Sequence, residues 1–133
     1  MKKAHGGTLI DYIRHNQNEF DFAMVKEILY KTLASLEKIH EEGIIHRDIK
    51  PENLMFSNRS GCELFINDFG VSIGNEIFEN PDFKFFKCGT LGFISPEILK
   101  YNPSLEAKPY GQKSDLFSYG CVMYFLFTGR LLL

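Results

Sequence analysis

Within eight consecutive positions, His46-Arg47-Asp48-Ile49-Lys50-Pro51-Glu52-Asn53, the chain gathers carboxylates, cations and an amide, and Asp68-Phe69-Gly70 supplies a further carboxylate downstream. Moving a phosphoryl group asks little covalent chemistry of a protein. It needs a carboxylate to orient the acceptor, a cation for the phosphate and oxygen ligands for magnesium. Asp48 can accept the proton of an incoming hydroxyl, and Lys50, two residues later, can neutralise a terminal phosphate. Asn53 and Asp68 offer the hard oxygens that suit Mg2+, and Pro51 stiffens the loop between them. The fixed residue types in the first window make a specific pattern, whereas Asp-Phe-Gly alone would be a weak one.

Groups so separated in sequence need elements to bring them together. Residues 21–42 carry Phe22, Val25, Ile28, Leu29, Leu33, Leu36 and Ile39 at spacings of three and four, which predicts a helix with one buried stripe. Gly43 follows as its stop. Lys26, Glu27, Lys31, Glu37 and Lys38 fall mostly on the other face, so this helix is structural and delivers the chain to the loop. Ahead of it, Gly6-Gly7 and then Thr8-x-x-Asp11 read as a flexible entry and a capping-box start for a short helix.

Ile44-Ile45 and Leu54-Met55-Phe56 are long enough only for small strands. The turn-rich Ser57-Asn58-Arg59-Ser60-Gly61 followed by Leu64-Phe65-Ile66 predicts a β-hairpin. Such a hairpin sets Asn53 and Asp68 at neighbouring strand ends, where they can share a magnesium ion. The stretch between Gly70 and Ser95 has no periodicity of its own and exceeds the ~15 residues of an ordinary connection, which marks it as functional or disordered. Residues 114–128 are apolar nearly all round and predict a helix buried on several sides, with Ser114 or Asp115 as a candidate N-cap. Residues 102–111 read as a polar surface connection bounded by prolines.

The motifs H-R-D-x-K-x-x-N (His46 to Asn53) and D-F-G (Asp68 to Gly70) resemble those of the eukaryotic protein kinase family, of the serine/threonine, calcium/calmodulin-kinase-like sort. Pro51-Glu52-Asn53-Leu54-Met55, Cys88-Gly89-Thr90 and Ser95-Pro96-Glu97, the last in place of the usual A-P-E, extend the resemblance over nearly all of the chain. It implies an α+β fold, mainly α: a C-terminal-lobe portion of a kinase domain over residues 1–133, from the hinge to the central buried helix, with a small β-hairpin at the catalytic loop. The glycine-rich loop, the strand lysine and the last helices of the lobe are expected to be absent.

The resemblance also implies roles. Asp48 would be the catalytic base and Lys50 the partner of the γ-phosphate. Thr8, Glu52, Asn53, Met55 and Asp68 would face ATP, Thr8 near the ribose and Leu9 under the adenine, and Asn53 and Asp68 would hold Mg2+. His46, packed on Phe69, and Gly70, Thr90, Glu97 and Asp115 would be structural, with Asp115 tying down the catalytic loop. Arg47 would read a phosphorylated activation segment. Here, however, Ser72 is the single hydroxyl residue between Gly70 and Gly89, and Phe85, Phe86 and Lys87 stand where an acceptor is expected. The expectation is therefore that Arg47 pairs with Glu76, Glu79 or Asp82 instead.

Composition adds bounds. A chain of 133 residues, 44% hydrophobic with net charge −2, can bury one core and has no global attraction to nucleic acid or anionic membrane. Cys62, Cys88 and Cys121 lack C-x-x-C spacing, which favours neither a disulfide framework nor a zinc site. Met1-Lys2-Lys3 is followed by Ala4-His5-Gly6-Gly7 rather than an apolar core, so no secretory signal is expected. The expectation is a protein of the cytosol or nucleus acting on a protein substrate with ATP and Mg2+, without nucleic acid or membrane, and inactive as these residues alone. A noncatalytic half-kinase that competes for kinase partners is the alternative, with a partner chain over its open face. An unstable product without function is a third reading, marked by insolubility.

Overall fold

The computed structural model describes residues 5–80, 86–102, 104 and 110–132. The readings placed on residues 1–4, on Asp82 and Phe85, and on most of the 102–111 connection lie outside them. The chain runs α1 (Leu9–His15), α2 (Phe22–Glu41), β1 (Ile44–Ile45), a 3-10 turn (Pro51–Asn53), β2 (Leu54–Phe56), β3 (Leu64–Ile66), β4 (Ile73–Gly74), α3 (Asn75–Phe78), α4 (Pro96–Lys100) and α5 (Gln112–Thr128). This is the mainly helical α+β arrangement expected.

The predicted capping box forms at α1: Asp11 N donates to Thr8 Oγ1 at 3.3 Å while Thr8 N donates to Asp11 Oδ2 at 2.9 Å. Asp21 caps α2 by accepting from Met24 N, and Gly43 ends the turn that follows at φ 71°, a conformation costly for any residue with a Cβ. The helical stripe is only partly buried. Val25, Ile28 and Leu36 lie in the core, but Phe22 is 70% exposed and Leu33 43% exposed. Those two face out beside α5, where the Phe22 ring lies 6.0 Å from Phe127.

Strands β2 and β3 form the predicted antiparallel hairpin in the register Leu54↔Ile66, Met55↔Phe65, Phe56↔Leu64. The entry segment lies along β2, with Gly6 N donating to Phe56 O and Phe56 N to Gly7 O. A Cβ on Gly6 would stand 2.3 Å from Asn58 O, so this close approach of two backbones needs glycine. A second antiparallel pair, β1 with β4, was not foreseen: Ile44 pairs with Gly74 and Ile45 with Ile73.

One core cluster joins α1, α2, the hairpin and α5 through Leu9, Leu36, Ile49, Phe56, Phe93 and Val122. A second, made of Ile45, Ile73, Ile94, Ile98, Tyr101 and Tyr110, joins the β1–β4 pair to α4 and to the residue ahead of Gly111. Helix α5 begins at Gln112 behind Gly111, two residues before the predicted start, with no side-chain cap. Ser114 and Asp115 therefore sit inside the first turn, which overturns their reading as N-caps. Its Leu116, Met123, Tyr124 and Phe127 are each more than a third exposed, so the helix carries an open apolar face beside its buried ones. No helix among the described residues is long and apolar enough to cross a membrane.

Candidate active site

Strand β1 hands the chain to the loop at His46, and one buried carboxylate holds that loop. Asp115, fully buried in α5, accepts from Arg47 N on Oδ1 at 2.8 Å. Its Oδ2 accepts from His46 N at 2.8 Å and meets His40 Nε2 at 2.8 Å. These bonds fix Arg47 in the left-handed region at φ 68°, a strained conformation for a residue with a side chain. His40, from the last turn of α2, was missed by sequence reasoning. A histidine near a helix C-terminus is ordinary enough to carry no signal.

His46 has both ring nitrogens in use. Its Nδ1 accepts from Asp48 N at 3.2 Å, which makes Nε2 the protonated nitrogen that donates to Asn67 O at 2.9 Å. Its ring meets Phe69 edge-on at 5.0 Å between centroids. A histidine so engaged positions the loop and has no nitrogen left for proton transfer.

Behind it, four side chains converge. Thr90 Oγ1, brought back by the segment after Gly89, donates to Asp48 Oδ1 at 2.6 Å. Lys50 Nζ lies 3.0 Å from Asp48 Oδ2 and donates to Thr90 Oγ1 at 2.9 Å. Asn53 Nδ2 donates to Asp48 O at 2.8 Å and to Oδ2 at 3.2 Å. Partial burial works to raise the Asp48 pKa, but the hydrogen bonds of Thr90, Lys50 and Asn53 and the Lys50 charge outweigh it, so the carboxyl stays below the ordinary carboxylate value.

That direction sets a pH prediction. A depressed carboxyl contributes stability that is fully present above its unfolded value and is lost as pH falls through the folded one. The ionised form is also the one able to take a proton. Thr90→Val removes the strongest of the lowering contacts and is expected to shift the Asp48 titration, followed by carboxyl-carbon NMR, to higher pH. An unshifted titration would show that Thr90 does not hold the charged form.

Asn53 and Asp68 stand at neighbouring strand ends as predicted, for Leu54 pairs with Ile66 and Asn67 N donates to Asn53 O at 2.8 Å. Asp68 also has a left-handed backbone, φ 60°, and its Oδ1 accepts from Gly70 N at 3.2 Å. The Asn53 amide oxygen makes no hydrogen bond among the described residues, and the Asp68 carboxylate is solvent-facing. Hard oxygens so disposed fit Mg2+, which keeps several waters and takes one or two protein ligands beside phosphates.

The residues assigned to the nucleotide are partly grouped. Thr8 bridges Met55 across the edge of the hairpin, so both border the same surface. The Thr8 hydroxyl donates to Asp11 Oδ2 at 2.8 Å. Leu9 is fully buried in the core, so it offers no surface beneath an adenine, and Met55 is the partly exposed neighbour. Glu52 is exposed on the 3-10 turn.

Glu97 and Arg47 each find a partner that the sequence did not name. Glu97 accepts from Ser114 Oγ at 2.9 Å, linking α4 to α5. Arg47, only 4% exposed, makes no ion pair with Glu76 or Glu79 among the described residues. Its Nε donates to Val71 O, its Nη1 donates to Tyr110 Oη at 2.7 Å, and its guanidinium lies over the rings of Phe86 and Tyr110. A weakly hydrated planar cation can be held by aromatic faces as well as by carboxylate, and here the aromatic faces stand where Glu76 and Glu79 do not reach; Asp82 lies outside the described residues.

The serine of Ser95-Pro96-Glu97 is fully buried, and its Oγ has no hydrogen-bond partner among the described residues. Ser95→Ala removes this orphaned group and is expected to leave stability unchanged or raise it by up to about 1 kcal/mol in urea unfolding. A loss of stability on that change would mean that the hydroxyl has a partner.

The sequence pattern of the protein kinase domain matches residues 1–133. The chain belongs to the protein kinase family. It is 36% identical over 132 residues to the serine/threonine-protein kinase cds1 of Schizosaccharomyces pombe, covering 98% of this chain and 27% of that protein. It is 33% identical over 132 residues to calcium/calmodulin-dependent protein kinase type 1 of Caenorhabditis elegans, 97% of this chain and 34% of the relative. With serine/threonine-protein kinase Nek8 of Danio rerio it shares 35% over 125 residues, 93% of this chain and 16% of the other. This kinase chain spans well under half the length of these curated relatives.

Proposed function

We propose that this chain supplies the catalytic-loop half of a serine/threonine protein kinase domain, which transfers the ATP γ-phosphate to a protein Ser or Thr hydroxyl. The observation that carries the reading is the joined cluster of Asp48, Lys50, Thr90 and Asn53. Asp48, kept ionised by that cluster, orients the acceptor hydroxyl and takes its proton as the new O–P bond forms and the bond to ADP breaks. Lys50 Nζ, 3.0 Å from the Asp48 carboxylate, balances phosphate charge at the acceptor side. Asn53 Oδ1 and the Asp68 carboxylate would hold Mg2+, whose charge offsets that of the phosphates when it is bound. Lysine at position 50, linking base and threonine, favours Ser/Thr over Tyr acceptors.

Residues 1–133 present one face of a nucleotide site. Transfer by these residues alone is expected to be negligible, because positioning and charge supplied from a second face are worth several kcal/mol. The open apolar face of α5 favours a covering chain, and a noncatalytic half-kinase that binds such a partner is the second reading. A cytosolic or nuclear place is proposed with it.

The test is the native gene product, captured from its own cells and measured by intact mass, then assayed with labelled ATP on serine and tyrosine peptides. A product well above 133 residues that labels serine supports the first reading. A 133-residue product without transfer leaves the second.

A further inference from the structure

The Arg47 guanidinium is a cation nine-tenths buried, and a charge so placed must be compensated. Among the described residues no carboxylate does it. Among the described residues the compensation comes from neutral groups. The carbonyl of Val71 takes Nε and the Tyr110 hydroxyl takes Nη1, while the Phe86 ring lies with its centroid 5.0 Å from Cζ and that of Tyr110 at 5.9 Å. The aromatic faces present the negative part of their quadrupole to the cation.

The same phenol closes the arrangement. Tyr110 Oη donates to Phe86 O at 3.0 Å, so one hydroxyl holds both the catalytic-loop arginine and the backbone of the segment that follows the magnesium loop. Tyr110 is itself fixed, 6% exposed in the second core cluster just ahead of α5. Four residues beyond Phe86 the same segment delivers Thr90 onto Asp48 at 2.6 Å. Phe86 is thus the upstream anchor, and Thr90 the downstream one, of the stretch that completes the cluster. Phe86 is 52% exposed, more than its packing alone would require of a core residue. The one hydroxyl side chain between Gly70 and Gly89, Ser72, is turned into a local bond with Phe69 O at 2.8 Å.

We propose that Phe86, working with Tyr110, is a positioning residue that clamps Arg47 by an aromatic face, so that the segment is held against the catalytic loop without a phosphate. Its link to catalysis rests on the kinase reading above; the clamp itself does not. The ring lies 5.0 Å from the guanidinium carbon, and a neutral face needs no modifying enzyme to put it there.

The experiment uses the native full-length protein with two replacements, Phe86→Leu, which keeps an apolar side chain but removes the quadrupole, and Phe86→Tyr, which keeps the ring. Hydrogen exchange read by mass spectrometry is expected to quicken about three- to thirtyfold in peptides covering residues 44–50 and 86–94 of the leucine variant and to stay unchanged in the tyrosine variant. Where transfer is measurable, kcat should fall in parallel in the leucine variant with the KM for ATP held, and phosphatase treatment of the parent should change activity less than about twofold. Unaltered exchange in Phe86→Leu overturns the clamp, as does equal loosening in Phe86→Tyr or loss of activity on phosphatase treatment. If the protein transfers no phosphate, the kinase reading fails by itself and the exchange result still decides the clamp. Because Phe86 is half exposed, neither replacement removes a core side chain.

Discussion

Asp48→Asn in the native full-length protein is expected to lower kcat by roughly 10²- to 10⁴-fold while leaving the KM for ATP within about twofold of its starting value. The amide is nearly the same size and keeps one oxygen for the Thr90 hydroxyl, which now donates to Oδ1 at 2.6 Å. It cannot accept a proton from the substrate hydroxyl, and its NH2 group would face Lys50 Nζ, now 3.0 Å from Oδ2. Two donors would then meet where an ion pair stands. Lys50 turns away or loses its fixed position, so charge balance at the phosphate suffers along with proton acceptance. The Asn53 amide also loses an acceptor, though its stronger bond to the Asp48 carbonyl at 2.8 Å remains.

The split between kcat and KM is what makes this test specific. Nucleotide contacts are assigned to the Thr8–Met55 edge and to Asn53 and Asp68; of these the change touches Asn53 alone, whose bond to the Asp48 carbonyl at 2.8 Å is kept. A parallel rise in KM for ATP, with kcat held, would place Asp48 in binding rather than in the chemical step. Full activity in Asp48→Asn would end the reading of Asp48 as the proton acceptor.

How much of this was legible beforehand follows from what kind of interaction each feature depends on. The hairpin and the meeting of strand ends at Asn53 and Asp68 could be read because turn residues and alternation are local signals. The Thr8–Asp11 capping box was legible for the same reason. The β1–β4 pair was not: two-residue strands leave no pattern, and Ile44-Ile45 finds Ile73-Gly74 only because the second core cluster gathers them. The start of α5 was misplaced because Ser114 and Asp115 are good N-cap residues by type, yet both side chains are used in tertiary bonds, Ser114 to Glu97 and Asp115 to the catalytic loop. At Arg47 neither Glu76 nor Glu79 is the partner, because carboxylates are easily counted in a sequence, whereas the placement of a ring over a guanidinium is set by the fold. Phe22 and Leu33 matched the period of a buried stripe, but period shows only which residues share a face, and that edge of α2 looks outward beside α5.

Asp115 carries the other large expected effect, and it acts through backbone rather than through chemistry. Its two oxygens receive His46 N, Arg47 N and His40 Nε2, all at 2.8 Å, within a site closed to solvent. In Asp115→Asn one oxygen can still serve one backbone N–H, but the NH2 group opposes the other. His40 can adapt by presenting an unprotonated nitrogen, whereas a peptide N–H cannot. A buried backbone donor left unpaired costs about 1–3 kcal/mol, and losing a charged acceptor adds a comparable amount, so the destabilisation is expected to be about 2–4 kcal/mol in urea unfolding. Asp115→Ala orphans both N–H groups and should cost more, about 3–5 kcal/mol. His40→Phe, which leaves both backbone bonds intact, should cost clearly less than either. Activity should fall with the backbone contacts, since Arg47 keeps its strained left-handed conformation only while both amides are held. If Asp115→Asn unfolds at the same urea concentration as its parent, the carboxylate is not what holds the loop. If His40→Phe proves as costly as Asp115→Ala, then the histidine contact rather than the two peptide bonds is the principal tie between α5 and the catalytic loop.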